Sequence, residues 1–270
     1  MTDRERVVGA LLDEWRALDE LLSGLDPAAW AAPTPLPGWS VADVVAHVIG
    51  TEASLSGEPV PEAGGGAEPP AHVRNDIGAL NERWVESLRP SPPAEVLARF
   101  REVTSRRAAA LRAMTPEDFE APSWTPVGQA TYGRFMEIRV FDCWLHEQDI
   151  RDGLGLPGNR DGGGAELSVD EIVRALGYLV GKRAGAPDGS SVTIELTGPV
   201  RRVVHVAVDG RAAVVDSLAA PATTTLRLSS DLFVRLAGGR LDAEAALPGV
   251  TIEGDEELGR KVATSLAFTI

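Results

Sequence analysis

The sequence predicts an α+β chain of two domains: a helical bundle followed by a smaller α+β domain. Three observations carry this expectation. Apolar residues recur at helical spacing through the first 150 or so positions. The period switches to two beyond Gly189, and a Gly-rich stretch, Gly153 to Gly164, lies between the two patterns. Helices first and strands later imply separate layers rather than one interleaved sheet.

Each element has its own signal. Val7, Val8, Leu11, Leu12, Trp15, Leu18, Leu21 and Leu22 make residues 3 to 24 an amphipathic helix. Pro33, Pro35 and Pro37 exclude helix until Gly38-Trp39-Ser40. Ser40 followed by Asp43 resembles a capping box with Asp in place of Glu, opening a helix that carries Val44, Val45, Val48 and Ile49. Gly57 to Pro70 reads as a mobile Gly/Pro/Glu-rich loop. Two more helices are expected at about 71 to 88 and 94 to 113, then a loop holding Pro122 and Pro126, then a long helix from about Tyr132 to Asp152. Beyond the Gly-rich linker, Ile172, Ala175, Leu176 and Leu179 predict a helix at about 168 to 184. Alternation at Val192, Ile194 and Leu196, at Val204, Val206 and Val208, and around Thr223 to Leu228 predicts strands, with Asp209-Gly210 as a turn. A short helix from Ser230-Asp231, a strand at Val250 and Ile252, and a closing helix from Glu256 to Leu266 complete the chain. The expected division is 1–155 and 165–270.

Composition narrows the function classes. Hydrophobic residues make up 44% of 270 and charged residues 24%, enough for a core without disulfide staples. Cys143 has no intrachain partner, which fits a reducing compartment. No run approaches the roughly 20 apolar residues of a membrane span, and no N-terminal leader pattern is present, so the expected location is the cytoplasm. A net charge of −14 disfavours nucleic acid and anionic membrane surfaces as partners.

Two of the four histidines sit inside strongly apolar helices. Asp142 and His146 are i and i+4 on the long helix, so they lie on one face, with Arg139 and Asp149 on the same stripe. That stripe is either solvent-facing or a paired internal site. A carboxylate and an imidazole at this spacing can reach one divalent ion, with His47 of the helix capped by Ser40 as the natural third ligand. Three protein ligands leave an open position, as in catalytic zinc, and the same donor set also suits iron or nickel. The plainer alternatives are an exposed Asp–His ion pair and a hydrogen-bonded core histidine at 47. Asp149 is a candidate acceptor for the second nitrogen of His146. Arg151 is read as complementing the helix dipole. Trp39 is read as a hydrophobic staple, and His72 and His205 as histidines without companions.

Pro37-Gly38-Trp39-Ser40-Val41-Ala42-Asp43-Val44-Val45-Ala46-His47, with the later His146-Glu147-Gln148-Asp149-Ile150-Arg151, resembles the mycothiol-dependent maleylpyruvate isomerase family of DinB-like metal-binding bundles. The resemblance implies an up-down helical bundle and ligation by a histidine of the second helix and a carboxylate–x-x-x–histidine pair on the last, here His47, Asp142 and His146. The family's characterised members carry Glu where this chain has Asp142, one methylene shorter. The C-terminal stretch, with Thr223 to Leu232, Leu236 to Arg240 and Val250 to Asp255, is similar to the sterol-carrier-protein-like domain that accompanies this bundle. Arg240 matches an arginine implicated in catalysis there. The implied activity is a metal- and mycothiol-dependent isomerase or S-transferase acting on a small electrophile such as an unsaturated dicarboxylate. An apolar-ligand carrier and a metal-responsive protein without turnover are the alternatives.

Overall fold

The structure is a computed structural model that describes residues 3–62 and 70–269. The chain divides into two compact units, Met1–Asn159 and Arg160–Ile270. No helix among the described residues is long and apolar enough to cross a membrane. Residues 63–69 of the expected mobile loop lie outside the described residues.

The first unit is helical. Helix α1, Asp3–Ser23, buries Val7, Val8, Leu11, Trp15, Leu18 and Leu22. Glu14 is buried on the same helix. Helix α2, Val41–Leu55, starts from the expected capping box: the Ser40 side chain accepts from Asp43 N, and Asp43 accepts from Ser40 N. Helix α3, Asp76–Leu88, begins five residues later than the expected 71, because the Asn75 side chain caps it by accepting from Gly78 N at 2.8 Å. Helix α4, Pro93–Ala113, opens on proline, whose missing N–H costs nothing in a first turn.

The expected loop before the long helix holds more structure than its prolines suggest. A one-turn helix α5, Pro116–Glu120, is capped reciprocally by Thr115 and Asp118. A hairpin of β1, Pro122–Thr125, and β2, Gly128–Thr131, follows, and Thr131 caps helix α6, Tyr132–Leu154. The strands begin at Pro122 and Gly128, residues that mark loops and turns in a sequence. Gly155 ends α6 in the left-handed conformation at φ 66°.

Helices α1 and α2 each pack against both α4 and α6, so these four form the bundle, while α3 lies on α2. The α2–α3 crossing depends on Gly50: a Cβ there would stand 2.3 Å from Cγ of Trp84. Gly50→Ala is therefore expected to lower stability by about 1–3 kcal/mol despite better helix propensity. Urea unfolding checks it, and an unchanged midpoint would show that the crossing has slack.

After α6 the chain folds back on the bundle. The Trp144 indole donates to Asn159 O at 2.8 Å and Gln148 Nε2 to Gly158 O at 3.2 Å. Asn159, itself left-handed at φ 50°, donates through Nδ2 to both Glu14 and Glu147. Arg151 holds the other oxygen of Glu147 at 2.8 Å and donates to Leu156 O at 3.3 Å, so it serves both a buried carboxylate and the helix end.

The second unit opens with α7, Gly162–Tyr178, continued by a π turn at Leu179–Arg183. Its start falls inside the stretch expected to be linker. Burial of Ala165, Leu167 and Val169 outweighs the helix penalty of three consecutive glycines. A five-stranded sheet follows: β3, Ser191–Thr197; β4, Arg202–Asp209; β5, Arg211–Val215; β6, Thr224–Ser229; and β7, Thr251–Gly254. The order is β5-β4-β3-β6-β7, with β3 and β6 parallel and the other pairs antiparallel. In this register Ile194 sits between Val204 and Leu226, and the face carrying these residues is the buried one. Helix α8, Ser230–Ala237, the short α9, Ala243–Ala246, and α10, Glu256–Thr264, complete the unit. Helices α7, α8 and α10 pack on the sheet. This is a helical bundle followed by an α+β unit, the fold class expected from the sequence.

Candidate metal centre

The site grows out of two helices. On α6, the i,i+4 spacing stacks Asp142 and His146, and His146 Nε2 lies 3.6 Å from Asp142 Oδ1. On α2, the capping box fixes the start of the helix and so the angular position of His47 seven residues on. His47 Nε2 lies 3.3 Å from Asp142 Oδ2, and the two imidazole centroids are 4.8 Å apart, edge to face. One ligand atom from each of the three residues falls within 4.8 Å of the others. An ion held by bonds of about 2.0–2.2 Å needs donors roughly 3.4 Å apart in tetrahedral geometry. The two spacings, one to each oxygen of Asp142, lie near that value, and no pair in the set exceeds 4.8 Å, so the donor types and their convergence suit a divalent cation. His47 Nδ1 is also buried and makes no hydrogen bond among the described residues.

The stripe is internal, not solvent-facing. His47 and His146 are buried, and Asp142 is partly so. Burial lowers the pKa of His47 despite the attraction of Asp142, which keeps its imidazole neutral and able to ligate. Burial pushes the Asp142 carboxyl upward, but Arg139 and the two histidines outweigh it and hold the group well below the usual carboxylate range. Asp142 is therefore an anion beside two imidazoles.

Supporting groups surround these three. Asp149, 1% exposed, stands 3.0 Å from His146 Nδ1, and an N–H placed there would leave the Nε2 lone pair toward Asp142. Arg139 Nη1 donates to Asp142 Oδ2 at 2.5 Å and Nε to Glu52 Oε1 at 2.9 Å. Arg107 Nε donates to Glu52 Oε2 at 2.9 Å and its Nη2 to the Tyr132 hydroxyl at 2.7 Å. Glu52, fully buried on α2, thus joins guanidiniums from α4 and α6. Cys143 is fully buried, and burial pushes its thiol far above the ordinary value, so it stays protonated and is no nucleophile.

Trp39 belongs here too, which its reading as a staple missed. Its ring centroid lies 5.4 Å from His47 and 6.2 Å from His146. His72 is not without companions: its Nε2 stands 2.9 Å from Glu82 Oε2, the same oxygen that accepts the Trp39 indole N–H at 3.1 Å. His205 accepts from or donates to Thr193 across β3 and β4 at 2.9 Å. Trp15 is buried as its helical spacing implies, Trp84 is a core residue too, and Trp124 is exposed on its hairpin. Arg240 lies just past α8, where its Nη1 donates to Gly238 O.

Comparison with known proteins places this architecture. Residues 11–151 match the family described as mycothiol maleylpyruvate isomerase N-terminal domain, and residues 166–260 match the MDMPI C-terminal domain. Two uncharacterized proteins, from two strains of Mycobacterium tuberculosis, are 30% identical over 158 residues, which is 58% of this chain. The match spans 59% of the length of those relatives. Among solved structures, the crystal structure of the mycothiol-dependent maleylpyruvate isomerase superposes with a TM-score of 0.60 at 16% identity, covering 94% of this chain and 93% of that one. A mutant of the same enzyme gives 0.59 over the same shares. At that identity the likeness speaks for the fold. The family match covers more than half of the 270 residues, and the chain belongs to the mycothiol maleylpyruvate isomerase family.

Proposed function

We propose that this protein is a metal- and thiol-dependent enzyme that isomerises, or conjugates with mycothiol, a small electrophile such as an unsaturated dicarboxylate. The observation that carries the reading is the convergence of His47, Asp142 and His146 from two helices, within 4.8 Å, in a chain of this family. These three residues would hold the ion, zinc being the first choice and iron or nickel the others compatible with two imidazoles and a carboxylate. The bound ion supplies Lewis acidity that converts a coordinating thiol to its thiolate.

The protein's own groups prepare that chemistry. His47 is kept neutral and Asp142 anionic, so neither must titrate before binding. Asp149 fixes the ring orientation of His146, and Arg139 holds one oxygen of Asp142. The thiolate adds to one carbon of the substrate's cis double bond, and the electron pair moves onto the conjugated carbonyl oxygen. Rotation about the new single bond and expulsion of the same thiolate give the trans isomer and return the thiol. Where the electrophile holds a leaving group or strained ring instead, the carbon–sulfur bond persists as a conjugate. Arg240 is proposed to pair with the substrate carboxylate or the enolate oxygen, a role suited to a planar guanidinium. Residues 1–155 and 165–270 are proposed as the metal-binding and accessory domains of a cytoplasmic enzyme.

Purified full-length protein is expected to contain about one equivalent of divalent metal by mass spectrometry and to isomerise a cis-dicarboxylate only when thiol is present. Arg240→Leu is expected to keep the metal and lose at least tenfold in kcat/KM, within the cost of removing a charge-assisted contact. Metal-free protein with full thiol-dependent turnover would overturn the reading.

A further inference from the structure

Trp39 is the residue before the Ser40 cap of α2, the helix that carries His47. It touches both histidines of the centre, tilted 36° to the His47 ring and 42° to the His146 ring. Such contacts restrict rotation of two imidazoles at once. Each ring has two competing orientations, of which only one aims a lone pair at Asp142.

The indole is itself held in a closed circuit. Its N–H donates to Glu82 Oε2, and Glu82 is 4% exposed on α3. The other oxygen of Glu82 meets Arg89 at 3.1 Å, and Arg89 Nε donates to Asp43 Oδ1 at 2.9 Å. Asp43 closes the circuit on Ser40, the neighbour of Trp39, by accepting from both its N–H and its hydroxyl. His72 adds a second grip on Glu82 and meets the indole edge-on at 6.2 Å. A tryptophan needed only to seal a helix start would not require a buried carboxylate, an arginine and a histidine to fix its plane.

The electron-rich face of an indole attracts positive charge within about 6 Å of its centroid. Imidazoles that donate to a divalent ion take on part of its charge, so the attraction grows on ligation. We propose that Trp39 is a positioning residue of the metal centre: clamped through Glu82, its ring holds His47 and His146 in ligating orientation and stabilises their charge once an ion is bound. This inference rests on the metal-centre reading above.

The test is a titration of metal-free, full-length protein with Co(II), read by visible absorption and by quenching of tryptophan emission. Wild type is expected to bind Co(II) with quenching that is largely lost in Trp39→Phe. The Kd is expected to rise from wild type to Trp39→Phe to Trp39→Leu, by about tenfold or more for the last, as for other groups that orient metal ligands. Glu82→Ala should raise it too, while Glu82→Gln, which still accepts the indole N–H, should restore most of the affinity. The thermal midpoint of the metal-free protein should not follow this order. Equal Co(II) affinity across the series overturns the proposal, as does affinity that falls only in step with metal-free stability. Should Trp39→Leu fail to fold, Trp39→Phe and the two Glu82 variants decide by the same readouts. A wild-type protein that binds no Co(II) overturns the metal centre itself, which separates that failure from failure of the role of Trp39.

Discussion

His146→Ala is expected to abolish thiol-dependent turnover and to reduce bound metal to the background of a chelator-treated sample. A three-ligand site loses a third of its protein donors, and the loss is compounded by geometry. Asp149, 1% exposed, would be left without the imidazole it faces. Removing a group that only orients a ligand costs about 10–100-fold in metal affinity, so removing the ligand should cost more. His146→Gln is the control for volume and hydrogen bonding, since it can return a donor to Asp149 without an imidazole lone pair. Metal content by mass spectrometry and turnover are to be measured on variants whose circular dichroism matches wild type. Full activity in His146→Ala would remove the mechanism outright.

Glu52→Ala is expected to produce the largest loss of stability of any substitution considered. Glu52 is fully buried, and it is the shared partner of Arg107 and Arg139, each 3% exposed. Its removal takes from Arg107 the carboxylate it pairs with and leaves Arg139 with that of Asp142, and neither guanidinium can deprotonate. Breaking a buried pair costs about 3–5 kcal/mol. At roughly 2–4 °C per kcal/mol, the unfolding midpoint of the N-terminal unit should fall by on the order of 10 °C. Arg139 also positions Asp142, so metal affinity should weaken in the same variant. Calorimetry of the two-unit protein separates this transition from that of the C-terminal unit. A shift of less than about 1 kcal/mol would mean that water reaches the arginines.

These effects also show which parts of the site were readable in advance. Asp142 and His146 are four residues apart on a helix, so local spacing puts them on one face; joining His47 to them, rather than reading an exposed ion pair and a core histidine, took the resemblance to a family. The fold class was legible because periodicity of 3.6 and of 2 is local. Glu52 carries no such mark, because its two arginines lie 55 and 87 residues away and meet it only when three helices pack. Trp39 and His72 share that difficulty, joined through Glu82 on a third element. The α5 segment and the hairpin before α6 escaped notice because Pro116, Pro122 and Gly128, which open them, read as loop residues. The early start of α7 over Gly162, Gly163 and Gly164 was hidden by propensity, which burial overrode.

The clasp at Asn159 carries a last implication. Glu14 and Glu147 approach the same amide, and Glu14 Oε1 makes no hydrogen bond among the described residues. Burial first, and then the charge of Glu147, raises the affinity of Glu14 for hydrogen ion well above that of an ordinary carboxyl. An unfolded chain would release that hydrogen ion at mildly acidic pH. Between the ordinary and the raised value, assembly of the bundle takes one up from solution, and what Glu14 contributes to stability is full below the ordinary carboxylate range and declines as pH climbs through the raised value. Rising rather than falling pH is the direction in which this corner of the molecule comes undone.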